Sequence, residues 1–271
     1  MPCDTQQISD LLKDSIEFRD KIIRSVGNFT VALMGIYERP ERLDLAGTGT
    51  LMTIAGAHYI LTARHVWDDK LAHADYVGLT LKPNIDHKYA IRRTDFTTVG
   101  LPKPSAWNEW GPDLMLLKIP EEKVGAIKAY RSFWNPARRI EIKNEVIELT
   151  VIMGTPGELG TITDTHADLQ ITGLFVGDEK LQSVGGFDFL DYKIHRNIQP
   201  GLPRHLGGTS GGGLWRVWVF CSKERDEIDW TMGFHGVAFY QLDIDADPTI
   251  VRCHGPESGK LLLRTLGAHL E

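Results

Sequence analysis

Residues 207–213 read Gly-Gly-Thr-Ser-Gly-Gly-Gly, and residues 214–220 continue as Leu-Trp-Arg-Val-Trp-Val-Phe, a strand-like apolar run. Glycine permits backbone conformations that other residues resist, so this run indicates main-chain N–H groups that approach something closely. Ser210 offers a nucleophile there, but a serine hydroxyl needs an adjacent base that is itself oriented by a third group. Runs of Gly and Ser are also typical of linkers and turns. The stretch is therefore catalytic only if the chain supplies those two partners.

Two other stretches offer the base and the group that orients it. His65 comes shortly after the strand-like run Ile60-Leu61-Thr62, where a turn can present an imidazole at a rigid strand end. Asp113 follows Gly111-Pro112 and precedes the apolar residues 114–117, so we expect a partly buried carboxylate that needs a hydrogen-bond donor. Each has a plainer alternative: a lone histidine is more often a surface or core residue, and the aspartate could cap a turn.

The three stretches match one pattern in one order. Thr-Ala-x-His ends at His65, Asp-Leu-x-Leu-Leu begins at Asp113, and Gly-x-Ser-Gly-Gly surrounds Ser210. This resembles the chymotrypsin-like (trypsin-like) serine peptidase family, over roughly residues 28–255. Residues 153–157, Met-Gly-Thr-Pro-Gly, are similar to the Gly-x-Pro strand end of bacterial members. The expected type is bacterial and intracellular, without a PDZ domain after Ser210.

The resemblance implies a role for each matched residue. His65 is expected to be the general base and then the acid, Asp113 to hold its tautomer, and Ser210 to attack the scissile carbonyl. The N–H groups of Gly208 and Ser210 are expected to form the oxyanion hole. No cofactor is expected, and no metal either, because Cys253 and its neighbour His254 would point to opposite faces of a strand.

The resemblance also implies an all-β fold, with two six-stranded antiparallel β-barrels of chymotrypsin type and helices at both ends. Short β-like runs separated by turn residues independently predict an antiparallel barrel or sandwich. Three- and four-residue spacing in residues 4–26 predicts one amphipathic helix that packs on the body, with Asp4 and Gln7 as a capping box; membrane or partner binding is its alternative role. The expected divisions are an N-terminal helix (1–27), an N-terminal barrel (28–125), a connector (126–143), a C-terminal barrel (144–254) and a C-terminal helix (255–271).

Composition narrows the partners and the compartment. A net charge of −6 in 271 residues means that the chain lacks the overall basic character that phosphate backbones attract, so we expect no nucleic-acid partner. The chain has no run of about 18 apolar residues, and we expect no membrane partner and no signal peptide. The three cysteines are far apart in the sequence and make a poor disulfide framework. We therefore expect a reduced, cytoplasmic protein.

Two positions depart from extracellular relatives, which carry a cysteine where this chain has Val66 and an aspartate where it has Thr209. In those relatives the aspartate pairs with a newly cut N-terminus. We expect no such activation here. Control by a partner or activator, by the N-terminal helix or by narrow specificity is expected instead.

The substrate pocket is expected to be lined by Arg204, His205, His235 and Tyr240. A cation at Arg204 argues against cleavage after Lys or Arg and favours an acidic or amide residue. The alternative is that Arg204 points into solvent.

These observations predict a cytoplasmic serine endopeptidase that cleaves a limited set of protein or peptide substrates through an acyl-enzyme, in regulated proteolysis connected with stress or defence. The alternative is a catalytically silent binding module on the same fold. An α/β-hydrolase does not fit, because its nucleophile precedes its acid and histidine in the chain.

Overall fold

The computed structural model describes residues 5–81, 89–101, 112–142, 146–196, 201–222 and 227–267.

The first half of the chain forms one antiparallel sheet. The sheet has seven strands in the order β5-β4-β1-β2-β3-β7-β6. Their bounds are β1 Thr30–Glu38, β2 Glu41–Ile54, β3 Ala57–Thr62, β4 Tyr76–Leu79, β5 Tyr89–Arg92, β6 Thr97–Gly100 and β7 Met115–Lys118.

The second half forms a closed six-stranded antiparallel barrel in the order β11-β12-β15-β14-β13-β8, and β9 and β10 pair separately. The bounds are β8 Ile147–Gly154, β9 Thr161–Ile162, β10 Ala167–Asp168, β11 Thr172–Val184, β12 Phe187–Ile194, β13 Gly213–Ser222, β14 Glu227–Leu242 and β15 Thr249–His254.

The predicted fold class is confirmed: the chain is mostly β, with helices near both ends, and is consistent with a two-barrel layout of chymotrypsin type. The first half differs from the predicted six-stranded barrel, because its sheet has seven strands. Within the described ranges this sheet does not close, since its end strands β5 and β6 each pair with one neighbouring strand. Both were missed in the sequence, since four residues are too few to show an alternating pattern.

An aromatic cluster joins the two halves. Trp215 of β13 is fully buried, and its ring centroid lies 5.4 Å from that of Phe29 and 5.2 Å from that of Trp134. Phe234 of β14 adds a fourth ring at 5.3 Å. Buried aromatic side chains dominate core energetics, so this cluster fixes the first sheet against the strand that follows Ser210.

The predicted N-terminal helix is divided into α1 (Thr5–Asp14) and α2 (Ile16–Gly27). The break is at Ser15, whose hydroxyl oxygen accepts a hydrogen bond from the N–H of Phe18 at 3.1 Å and caps α2. Both helices pack on strands of the barrel, with Ile22 fully buried. The predicted cap at Asp4 lies outside the described residues.

Two further helices complete the fold. α3 (Glu121–Lys128) crosses the expected boundary between the N-terminal barrel and the connector, where no helix was predicted. α4 (Pro256–Thr265) follows β15 directly. The carboxylate of Asp188 on β12 accepts the N–H groups of Glu257 at 3.0 Å and Ser258 at 2.7 Å, and so caps α4.

Cysteine chemistry differs from the expectation. Cys253 is a free, fully buried thiol, and burial raises its pKa. Cys221 at the end of β13 is disulfide-bonded, so the expectation of a wholly reduced chain is wrong for this residue.

Of the helices in the described ranges, none has an apolar stretch long enough to cross a membrane.

Candidate active site

Sheet register brings His65 and Asp113 together. β3 and β7 are antiparallel neighbours in which Thr62 pairs with Met115, so the residues after β3 and before β7 meet at one edge of the sheet. His65 Nδ1 lies 2.6 Å from Asp113 Oδ2, and the His65 main-chain N–H donates to Asp113 Oδ1 at 2.8 Å. The carboxylate is thus held at both oxygens by one residue.

Asp113 is poised to remain ionised. Its side chain is only 18% exposed, and burial alone would raise its pKa. Hydrogen bonds and charge attraction from His65 outweigh burial and hold the pKa of Asp113 below its ordinary value. A carboxylate at Nδ1 favours the tautomer with the proton on that nitrogen, which leaves Nε2 free to accept a proton.

The serine loop is supported by Thr48, a fully buried residue of β2 in the other half of the chain. Its main-chain N–H donates to the Ser210 carbonyl at 2.8 Å, and its hydroxyl donates to the Gly208 carbonyl at 2.6 Å. The same hydroxyl accepts the N–H of Thr155 at 3.0 Å. One threonine therefore fixes the loop on both sides of Thr209.

The loop around Ser210 has two N–H groups that are available to a ligand. The N–H groups of Thr209 and Gly211 are not among them, because they donate to the carbonyls of Leu206 and Ala238. By contrast, among the acceptors in the described ranges, none takes the N–H of Gly208 or of Ser210. Paired, unengaged backbone donors of this kind can bind an oxyanion.

Gly208 has a backbone that only glycine adopts without strain, with φ at 95°. A Cβ on Gly208 would collide with the Thr155 carbonyl oxygen and lie 2.6 Å from Leu45 Cδ2. The neighbouring Gly207 has open space at the same position. Of the two glycines before Thr209, Gly208 is therefore the one whose position requires glycine.

Ser210 lies beside the His65 segment. A Cβ atom placed on Gly47 would lie 2.7 Å from the Ser210 carbonyl oxygen and 2.7 Å from Val66 Cγ2. The main chain of Ser210 therefore lies close to the residue that follows His65. The Ser210 hydroxyl donates to the Phe239 carbonyl at 3.2 Å rather than to the imidazole. Catalytic hydrogen bonds are often formed only once substrate is bound, and rotation about one side-chain bond reorients this hydroxyl.

Arg204 and His205 are held by a carboxylate. Their main-chain N–H groups donate to Glu158 at 2.9 and 3.2 Å. The Arg204 guanidinium forms an ion pair with Asp245, and its side chain is 62% exposed. Its charge is thus compensated, which weakens the argument for an acidic residue in the pocket; the role of Arg204 in specificity stays a prediction.

The other two predicted pocket residues lie on β14. Tyr240 is 45% exposed. His235 is half-buried; burial lowers its pKa, and Arg216 lowers it further. Within the described ranges no hydrogen bond or ion pair joins His235 to Arg204 or His205, so the structure does not gather the four predicted residues into one bonded set.

Sequence reasoning missed the part played by His254. From the sequence, His254 was considered only as a metal ligand. In the described part of the chain, no group of three or more His, Cys, Asp or Glu side chains is placed to hold a metal ion. His254 is fully buried, and its Nε2 accepts the main-chain N–H of Asp113 at 3.1 Å. No sequence signal pointed to this contact, because the two residues are 141 positions apart.

His254 should make stability depend on pH. Burial holds its pKa at about 4, below the ordinary 6.5, although Asp113 and Asp188 favour its charged form. Between these pH values the unfolded chain binds a proton that the folded chain does not, so the stability is complete above pH 6.5 and is lost as the pH falls toward 4. The expected loss is about 3 kcal/mol.

Urea unfolding across this pH range measures that loss. The variant His254→Gln lacks the titrating group and should lose less stability on acidification than the wild-type protein. Equal losses in the two proteins would contradict the assignment.

Comparisons with known proteins add little to this geometry. The chain matches no protein-family model, and no curated protein matches it. Among solved structures, it is similar to a chain from work on the coupled folding and binding of the intrinsically disordered Sesbania mosaic virus VPg protein. That match has 15% identity and a TM-score of 0.42, and covers 83% of this chain and 85% of the other. A likeness this distant carries no argument about activity.

Proposed function

We propose that this protein is a serine endopeptidase that cleaves a limited set of protein or peptide substrates through an acyl-enzyme. The observation that carries the proposal is the two-point hydrogen bonding between His65 and Asp113 beside a serine loop with two unengaged N–H groups. A binding module on the same fold has no need of an ionised carboxylate at the back of an imidazole. It remains the second candidate, because the Ser210 hydroxyl is engaged with Phe239.

The proposed reaction uses only groups of this chain. On substrate binding the Ser210 hydroxyl turns from Phe239 toward His65 Nε2, which takes its proton as the oxygen attacks the carbonyl carbon. The Gly208 and Ser210 N–H groups stabilise the resulting oxyanion. His65 then gives the proton to the leaving amine, the C–N bond breaks, and an ester to Ser210 remains. Water, deprotonated by His65, releases the acid by the same route.

Control of this activity is part of the proposal. Thr209 is buried and uncharged, and it packs against Gly154, so it supplies no carboxylate for a newly formed N-terminus. A regulatory partner or activator, or narrow specificity, takes the place of that switch. The predicted cytoplasmic location remains open to test, and the disulfide-bonded Cys221 weighs against it because cytosolic thiols are kept reduced.

Labelling with a fluorophosphonate probe tests the proposal. We expect the wild-type protein to form an adduct that peptide mapping places on Ser210, and Ser210→Ala to form none. Ser183→Ala is the matched control, since Ser183 is an exposed serine on β11 and its loss should leave labelling unchanged. A folded wild-type protein that takes up no probe would favour the binding module.

A further inference from the structure

His254 lies where the two halves of the candidate site meet. It ends β15 in the barrel, whereas Asp113 precedes β7 in the first sheet. The Asp113 main-chain N–H donates to His254 Nε2 at 3.1 Å, while the Asp113 carboxylate accepts from His65. Asp113 is therefore bound through its side chain to one half of the protein and through its backbone to the other.

The same imidazole also touches the segment that holds the serine. Its ring stacks on Phe239, with centroids 4.4 Å apart and planes at 21°. The Phe239 carbonyl is the acceptor of the Ser210 hydroxyl. On another side Phe189 of β12 confines the ring, at 5.1 Å between centroids. A single buried side chain thus contacts the residue behind the base and the residue beside the nucleophile.

The contact with Asp113 demands a neutral imidazole of one tautomer. Nε2 accepts a hydrogen bond, so the ring proton must lie on Nδ1, which has no hydrogen-bond partner in the described part of the chain. A charged ring would carry a second proton on Nε2 and would set one donor against the Asp113 N–H. Burial disfavours that charge, and an unpaired buried N–H on Asp113 would be costly.

Resting on the proposed function, we infer that His254 is a positioning residue of the serine peptidase site. Its neutral imidazole fixes the Asp113 backbone and packs on Phe239, and so keeps the His65–Asp113 pair aligned with Ser210 across the boundary between the two halves. His254 contacts no reacting atom. It acts through Asp113 and Phe239.

Two substitutions at His254 separate the contribution of its hydrogen-bond acceptor, Nε2, from that of its ring packing on Phe239. His254→Phe keeps an aromatic ring against Phe239 but removes the acceptor for the Asp113 N–H. His254→Gln loses the ring and keeps an acceptor, because its amide oxygen can reach the place of Nε2. His73→Phe, at an exposed histidine, controls for the introduction of a phenylalanine.

The rate of fluorophosphonate labelling at Ser210 and the downfield proton NMR signal of the His65–Asp113 bond are measured in each folded protein. We expect His254→Phe to label about 10- to 100-fold more slowly and to shift the downfield signal. His254→Gln should recover much of the rate and the wild-type signal. His73→Phe should match wild type in both.

The outcomes distinguish the two proposals. If the wild-type protein takes up no probe, the proposed function fails. If the wild-type protein is labelled and His254→Phe keeps its rate and its signal, only the inference about His254 fails. Should His254→Phe not fold, nitrogen NMR of the wild-type protein decides: a proton on Nδ1 of His254 supports the inference, and a proton on Nε2 overturns it.

Discussion

Replacing Asp113 with asparagine is expected to slow acylation of Ser210 by about ten-thousandfold. Asparagine keeps the shape of the side chain but presents an amide, whose N–H₂ group can donate to His65 Nδ1. The imidazole then carries its proton on Nε2 and cannot accept the serine proton. The short 2.6 Å contact makes the tautomer depend strongly on this one side chain.

Single-turnover kinetics with an activated ester or peptide substrate measure the effect. Asp69→Asn is the matched control, because it makes the same change of charge at an exposed residue close to His65 in the chain. Asp113→Asn should still bind substrate, so the loss is expected in kcat with little change in KM. A kcat near that of Asp69→Asn would show that Asp113 does not set the tautomer of a catalytic base.

Replacing Gly208 with alanine is expected to lower kcat by about 100- to 1000-fold. The added methyl collides with Thr155 and Leu45, and a φ of 95° is strained for any residue with a side chain. Relief of that strain moves the Gly208 N–H out of the position in which it meets the developing oxyanion. Ground-state binding depends less on this donor, so KM should change little.

Gly207→Ala gives the comparison that isolates this effect. It adds the same methyl one residue away, where the space is open. Steady-state kinetics of the two variants, with unfolding midpoints to confirm that both fold, should separate them by about 100- to 1000-fold in kcat, as expected for the loss of one oxyanion donor. Equal activity in the two variants would exclude Gly208 as an oxyanion donor.

Local sequence patterns indicated those parts of the candidate site that each lie at the end of a single strand. His65 and Asp113 were identified from the apolar runs beside them, and the β3–β7 register explains why those runs meet. The glycine run around Ser210 was recognisable because few other residues tolerate its backbone. Contacts between distant segments left no such signature. Thr48 and His254 support the site from β2 and β15, and nothing in their own neighbourhoods distinguishes them from ordinary strand residues.

The predicted pocket shows the same limit from another side. Arg204 has the charge that the sequence suggested, but its ion-pair partner Asp245 is 41 residues away in a loop. Whether a charge is free to bind a ligand depends on such partners. A single sequence reveals the charge and conceals its compensation.

Thr48 makes the shape of the loop around Ser210 depend on the docking of the two halves of the chain. Its hydroxyl donates to the Gly208 carbonyl across the boundary, and this hydrogen bond is lost once β2 moves away from the loop by about 1 Å. If the protein is the proposed peptidase, a small separation of the two halves is expected to abolish its activity while both sheets stay folded. Under the proposed function, an effector bound at this boundary would change the activity without contacting Ser210.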